Sequence, residues 1–384
     1  MRILAAPASF KEALSPAAAA AAIARGVRAV RPGAEVLQVP LADGGEGTVD
    51  AALVALAGRK VEVAVAGPLG TPVRAAYAML DEHRTAVIEM AAASGLALVP
   101  PERRNPLATS TRGVGELLLD AARRGATRVL LGIGGSATVD GGAGALAGLG
   151  YRFFGPDGPL EPSGGAIERV ADIEPPPGGT PLAGVALEIL CDVDNPLLGP
   201  HGAAPVYGPQ KGATPEAVRR LELGLGHLAS VYLRAFGRAV AELPGSGAAG
   251  GLGAGLFAAI GGARLVPGFE TLSRLVGLEE RVRSADLILS GEGRADLTSA
   301  RGKVLSGLAR LARAHSRPLF ALVGSLGDGY EELIAQGVTA CFTIGGAIAP
   351  REVALARTAE DLERTAAMVL RAYLAGAKGP GAGL

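Results

Sequence analysis

The sequence predicts an α/β fold in which a parallel-sheet domain is assembled from both chain ends, residues 1–67 with 284–384, around an inserted mixed α/β domain, residues 68–283. Three observations carry this reading. Strand-like and helical segments alternate at the start of the chain, and they alternate again over 284–384. Between them come successive strand-like runs with no room for helices. Alternation argues for a parallel sheet; directly consecutive strands argue for antiparallel or mixed pairing.

Taken in order, ILAAPAS (residues 3–9) is a short apolar strand ending in small residues. Ser15 then supplies an N-cap and Pro16 a first-turn proline for an alanine-rich helix reaching Val30. Residues 35–40 form a second strand and residues 48–56 a second helix. The insert opens with VEVAVAG, PVRAAYAML and TAVIEMAAAS as strands. An amphipathic helix follows, carrying Val114, Leu117, Leu118, Ala121 and Ala122. VLLGIGGS is a strand, residues 155–184 are a Gly/Pro-rich stretch, LEILCDVD is a strand, and Thr214-Pro215 opens a helix. Toward the other end, DLILS (286–290), LFALVGS (319–325) and CFTIG (341–345) read as strands. They alternate with helices at 303–315 and 331–335 and with a terminal helix bearing Leu362, Ala366, Val369, Leu370 and Tyr373 on one face.

Composition narrows the function. Hydrophobic residues make up 49% of the chain, which excludes disorder as its main state. Basic and acidic residues balance at 37 each and aromatics are only 4%, so neither a basic nucleic-acid footprint nor a stacking platform is present. Two cysteines cannot build a disulfide framework, and Lys11 and Glu12 interrupt the leading apolar run before a signal sequence could form. A soluble cytoplasmic protein is expected. Glycine is the outlier: 58 of 384 residues, about 15% against a usual ~7%.

Where the glycines fall is informative. Ser9-Phe10-Lys11 follows the first strand and Asp43-Gly44-Gly45-Glu46-Gly47-Thr48 the second; Gly291-Glu292-Gly293-Arg294-Ala295-Asp296 follows DLILS. In an open parallel sheet such loops gather at the carboxyl ends of the strands, where ligands bind. Ser9, Lys11, Asp43, Glu46 and Arg294 are therefore expected to bind a small charged substrate, although tight βα turns also demand glycine and polarity for their own sake.

Six glycines lie between Gly132 and Gly144. With Gly134, Gly135, Ser136 and Thr138 this segment suits a phosphate-binding nest at a helix N-terminus; close helix-on-strand packing would need the same glycines. It is neither a Walker A loop nor a dinucleotide fingerprint. Asp192 and Asp194 end the LEILCDVD strand at i and i+2, where extended backbone points them to one side. That pair could share a metal or set a base beside a metal ligand, or simply start a turn with Asn195-Pro196.

Only five of the 37 basic residues are lysine, and Lys11, Lys211 and Lys303 sit in or beside these loops. A compact ammonium reaching a phosphate oxygen is a role arginine fills less well. The four histidines are scattered, without zinc spacing, and no G-x-S-x-G elbow exists, so acid–base work falls to carboxylates. Phosphoryl transfer fits this inventory.

Together, APASFK (6–11), ADGGEGT (42–48), RNPL (104–107), residues 132–142, CDVDNPL (191–197), GPQKGA (208–213) and SGEGR (290–294) resemble the bacterial glycerate kinases of the type-1 group. The resemblance spans essentially the whole chain. It departs at Ala8, where the family usually has Asp, and at Glu12, Val139 and Leu297, where it has Gly, Asn and Gln. It implies a flavodoxin-like domain with an inserted mixed α/β domain and the site in the cleft, ATP and Mg²⁺ as co-substrate and cofactor, and D-glycerate as acceptor with 2-phosphoglycerate as product. From loop position, Ser9, Lys11 and Arg294 are expected to hold the glycerate carboxylate, and Gly134, Gly135, Ser136 and Thr138 with Lys211 or Lys303 the ATP phosphates. Asp192 is expected as the base, with Lys11 its catalytic companion, and Asp194 or Asp296 as the Mg²⁺ ligand. A kinase for a related sugar acid and a non-catalytic anion sensor stay open as alternatives.

Overall fold

The computed structural model describes residues 1–302, 304–345 and 349–377. The strands are β1 (Arg2–Ala5), β2 (Glu35–Gln38), β3 (Gly58–Ala66), β4 (Pro72–Leu80), β5 (Thr85–Glu89), β6 (Arg128–Gly132) and β7 (Arg152–Gly155). They continue with β8 (Gly158–Leu160), β9 (Asp172–Glu174), β10 (Ala186–Leu190), β11 (Arg264–Val266), β12 (Leu287–Ala295), β13 (Leu319–Leu326) and β14 (Ala340–Thr343). The chain divides into two compact units, Met1–Asp43 with Asp50–Leu56 and Phe269–Leu384, and Gly44–Val49 with Ala57–Gly268.

The first unit holds a five-stranded sheet in the order β14-β13-β12-β1-β2, all parallel. Counted along this unit the order is 2-1-3-4-5, the flavodoxin-like arrangement. Alternation along β1 explains the double winding. Ile3 and Ala5 face a core with Ala19, Ile23, Leu362 and Leu370, whereas Leu4 and Ala6 face a second core with Leu305, Leu308 and Ala309. The helix Pro16–Val30 starts as expected, its Ser15 hydroxyl accepting from the Ala18 N–H at 3.2 Å. It crosses the terminal helix Thr358–Ala377 so closely that a Cβ on Gly26 would stand 2.2 Å from the Glu363 carbonyl oxygen.

In the second unit a six-stranded sheet runs β11-β10-β6-β5-β4-β3. Its first four strands are parallel, and β4 and β3 are antiparallel, as the consecutive strand-like runs suggested. The helix Arg112–Arg123 buries Val114, Leu117, Leu118 and Ala121 in the unit's core. Each leucine there contributes about 1.5–3 kcal/mol by leaving water. Thr214 caps Pro215–Phe236, accepting from Ala217 N–H at 3.2 Å.

The structure departs from the sequence reading in four places. The unit boundaries fall away from 67/68 and 283/284. β3 pairs with β4 from Gly58 to Ala66, and Phe269, Leu278 and Val282 pack in the core that also holds Leu4 and Ile288. The 155–184 stretch contains β8 and β9, which pair with β7 as a small sheet. β12 does not stop at Ser290: β13 runs beside it, pairing Glu292 with Val323 and Arg294 with Ser325, so those residues belong to a strand and not a loop. Conversely β10 stops at Leu190. The Cys191 N–H makes a last bond to Val266 O, where β11 ends, so Asp192 and Asp194 lie beyond the strand and the same-side argument for them does not apply.

Candidate active site

In the second unit β5, β6 and β10 end in register, with Glu89 beside Gly132 and Gly132 beside Leu190. The segment at Gly44 packs onto this edge: a Cβ on Gly44 would meet the Leu190 Cβ at 2.9 Å, and one on Gly132 would stand 2.2 Å from the Gly44 carbonyl oxygen. Only bare backbone fits. The Glu89 carboxylate accepts from Val49 N–H at 2.7 Å, and the Thr48 hydroxyl donates to Gly45 O at 2.6 Å, fixing the turn that presents the exposed Glu46. Asp43, immediately before this turn, is also exposed.

Beyond β6 the chain makes a loop whose exposed apex is Gly135, at φ +73°, a conformation that favours glycine. Its flanks are stitched down. Gly135 O accepts from Leu96 N–H at 2.8 Å, and Ala137 N–H donates to Ser94 O at 2.9 Å. Ser136 and Thr138 are buried. Beneath them lies Lys211, 1% exposed, its Nζ donating to Ser136 Oγ and to Thr138 O, both at 2.7 Å. Burial pushes its ammonium down to about 7, while Asp140 pulls the other way.

Asp140 corrects one expectation. The helix after the loop, Ala143–Gly148, is short, and its N-terminal amides are already used: Asp140, fully buried, accepts from Gly142 N–H at 3.1 Å and Gly144 N–H at 3.2 Å. Thr111 adds its N–H at 2.7 Å and its hydroxyl at 2.8 Å. Burial raises the Asp140 carboxyl and these four donors lower it. The helix N-terminus therefore serves an internal carboxylate, while the Gly134 N–H is turned to Gly44 O at 3.4 Å. Lys211 likewise points inward.

Asp192 stands just past β10, half-buried, and its Oδ1 accepts from Gly268 N–H at 3.2 Å at the start of the helix Gly268–Leu275. Asp194 is exposed. Asn195 pins the segment: its amide donates to His201 O at 2.8 Å, and its Oδ1 accepts the Tyr207 hydroxyl at 2.7 Å.

The first unit gathers a separate charged cluster at the carboxyl end of its own sheet. Ala8 N–H donates to Gly291 O at 2.8 Å, which ties the Ser9–Lys11 segment to β12. Ser9 is half-buried and Lys11 exposed. Glu12, where the resemblance expects Gly, takes φ +66° and pairs with Arg351 at 2.7 Å. Arg294 is exposed and its Nε meets Asp296 Oδ2 at 3.0 Å. Asp296 also caps the helix Leu297–Arg301, its Oδ1 accepting from the Thr298 N–H and hydroxyl at 2.8 and 2.5 Å. Both its oxygens are thus engaged within the chain. Lys303 lies outside the described residues.

Glu292, quoted in two motifs, carries no individual role in the sequence reading. It lies on β12 with Oε1 buried and without a hydrogen-bond partner among the described residues. Burial pushes its carboxyl up to about 7; Ser299 opposes the shift, Asp296 adds to it and Lys11 opposes it. The SGEGR motif displays the residue, but not its pairing with Val323 on β13, which is distant in sequence. Among the described residues no three His, Cys, Asp or Glu side chains converge as a metal cage. A Mg²⁺ ion carried by nucleotide phosphates needs only one or two carboxylates, so this donor set is compatible with it. No helix is long and apolar enough to cross a membrane, among the described residues.

Comparison with known proteins places these features in a family. The Glycerate kinase family matches residues 3–374. The chain is 46% identical over 367 residues to the glycerate kinase of Bacillus subtilis, covering 95% of this chain and 96% of that one. It is 45% identical to the glycerate kinase of Halalkalibacterium halodurans at the same coverage. With the glycerate 2-kinase of Escherichia coli it shares 43% identity over 90% of each chain. A crystal structure of a protein provisionally named glycerate kinase 2, from Salmonella typhimurium LT2, superposes with a TM-score of 0.87 at 42% identity, covering 98% of this chain and 99% of that one. The chain belongs to the glycerate kinase family.

Proposed function

We propose that this protein transfers the γ-phosphoryl group of ATP to a hydroxyl of D-glycerate, giving 2-phosphoglycerate and ADP in the cytoplasm. The observation that carries the reading is the near-complete coverage by named glycerate kinases, which takes in both the Gly132–Gly144 loop and the Ser9–Lys11 and β12 cluster. The regiochemistry follows the relative named glycerate 2-kinase.

In this reading Ser9, Lys11 and Arg294 hold the glycerate carboxylate, a hydroxyl donor with two cations suited to a small anion. Asp43 and Glu46 bracket the glycine turn that meets the acceptor hydroxyls. The Gly134–Ser136 turn offers backbone to the phosphates, supported by Thr138. The glycerate hydroxyl oxygen bonds to the γ-phosphorus as the bond from that phosphorus to the β,γ-bridging oxygen breaks, and ADP leaves with the electron pair. Asp192 takes the hydroxyl proton. Mg²⁺, when bound with ATP, neutralises charge on the β- and γ-phosphates. Asp194, exposed at the same strand end as Asp192, is the carboxylate assigned to it. Asp296, with both oxygens committed, is assigned instead to orienting Arg294.

Phosphorus NMR of protein, ATP, Mg²⁺ and D-glycerate tests turnover and regiochemistry together: the expected signals are ADP and 2-phosphoglycerate. Binding without ADP formation would leave a sensor, and turnover only with another sugar acid would reassign the acceptor. Asp192→Asn should lower kcat by ~10²–10⁴ with glycerate KM little changed. Lys11→Met and Ser136→Ala should each lower turnover.

A further inference from the structure

We infer that Lys211 is a positioning residue that holds the Gly134–Thr138 turn in shape from beneath, and that it does not touch the nucleotide. The inference rests on reading that turn as the phosphate site. Its support is geometric. The side chain is 1% exposed, and its two bonds, each 2.7 Å, go to Ser136 Oγ and Thr138 O, on either side of Ala137. An amine in either protonation state can donate both. One buried group thus clamps two points of the turn just past its exposed apex. Ala137 N–H is meanwhile tied to Ser94 O and Gly135 O to Leu96 N–H, so the turn is held from both sides.

Behind it, Asp140 gathers Thr111, Gly142 and Gly144, fixing where the chain goes next. Lys211 is itself held in place: it ends the turn Pro209–Lys211, and Gly212 follows at φ +90°, where a Cβ would stand 2.3 Å from Arg104 O. A lysine that swung out to a phosphate would leave Ser136 Oγ and a buried carbonyl without donors, so the inward pose is the one the surroundings favour.

Hydrogen exchange on the nucleotide-free protein tests this without relying on turnover. Lys211→Met should speed amide exchange across 132–142 by about 10-fold or more, with the rest of the unit unchanged. It should also raise ATP and ADP KM or Kd together by about 10- to 100-fold while glycerate KM stays within a few-fold. Ser136→Ala, which removes one acceptor and keeps the lysine, should give a smaller effect of the same kind. Unchanged exchange in Lys211→Met, with ATP weakened much more than ADP, would mean that the ammonium touches the terminal phosphate and would overturn the inference. Faster exchange throughout the unit with nucleotide affinity intact would also overturn it, by reducing Lys211 to a general stabiliser. Should the wild type bind nucleotide and form no ADP, the kinase reading fails while the exchange and ADP-binding results still judge Lys211.

Discussion

The carbonyl oxygen of Gly44 lies 2.2 Å from where a Cβ on Gly132 would stand, so the end of β6 and the acidic glycine turn touch through backbone alone. Gly132→Ala must force them apart. Overpacking of this kind costs roughly 1–3 kcal/mol. The larger effect is expected on activity, because the displaced segments lead into Glu46 on one side and Gly134–Ser136 on the other. Urea unfolding and steady-state kinetics on the same preparation check this: a variant that keeps wild-type kcat/KM would show that the contact does not position the site.

Asp296 joins two jobs, capping Leu297–Arg301 and pairing with Arg294. Asp296→Ala should cost about 1 kcal/mol of stability, the usual value of an N-cap. It should also raise glycerate KM by freeing the Arg294 fork, with kcat less affected. Asp296→Asn keeps the cap but weakens the ion pair, so it should recover stability more than KM. If both variants lower kcat and leave KM alone, Asp296 acts on the chemistry itself.

Much of this was readable from residue order. The flavodoxin-like unit follows from strand–helix alternation at both ends, and Ser15-Pro16 and Thr214-Pro215 announce their helices by local chemistry. Glu46 and Arg294 stand out as candidates because charge set beside glycine needs a reason, and Ser9 and Lys11 because they follow a strand. What was not readable depends on partners far along the chain. β12 continues through Arg294 with β13 beside it, and β10 stops where its neighbours β6 and β11 both end. The inward pose of Lys211 and the use of a helix N-terminus by Asp140 depend on burial, which a motif does not encode.

Lys211 should also leave a mark on stability. Its folded value, about 7, lies below the ordinary 10.5, so between these values the unfolded chain binds a proton that the native protein has released. Stability from this group is therefore present above 10.5 and is lost as pH falls through about 7. Relative to Lys211→Met, the wild type should gain up to about 1 kcal/mol per pH unit on going from 7 toward 10. Urea midpoints of both proteins at pH 7 and 9.5 measure the difference; parallel curves would mean that the buried amine is not depressed.

Glu292 carries the opposite sign. Its carboxyl is raised to about 7 from an ordinary 4.5, chiefly by burial, so the native protein keeps a proton that the unfolded chain has lost. That stability is complete below 4.5 and disappears as pH rises through about 7. Glu292→Gln should remove this decline. The same ionisation has a functional consequence, since a charge appearing on Glu292 near Lys11 opposes a bound carboxylate in the proposed glycerate site. Wild-type glycerate KM should therefore rise between pH 6 and 8, by several-fold for a like charge near a partly screened site, and Glu292→Gln should flatten the profile at the lower KM. ATP KM, read in the same experiment, should follow the same course in wild type and Glu292→Gln. A wild-type KM that is level across this range while kcat climbs with pH, and a Glu292→Gln variant with kcat reduced ~10²-fold or more, would instead make Glu292 the proton acceptor and remove that role from Asp192.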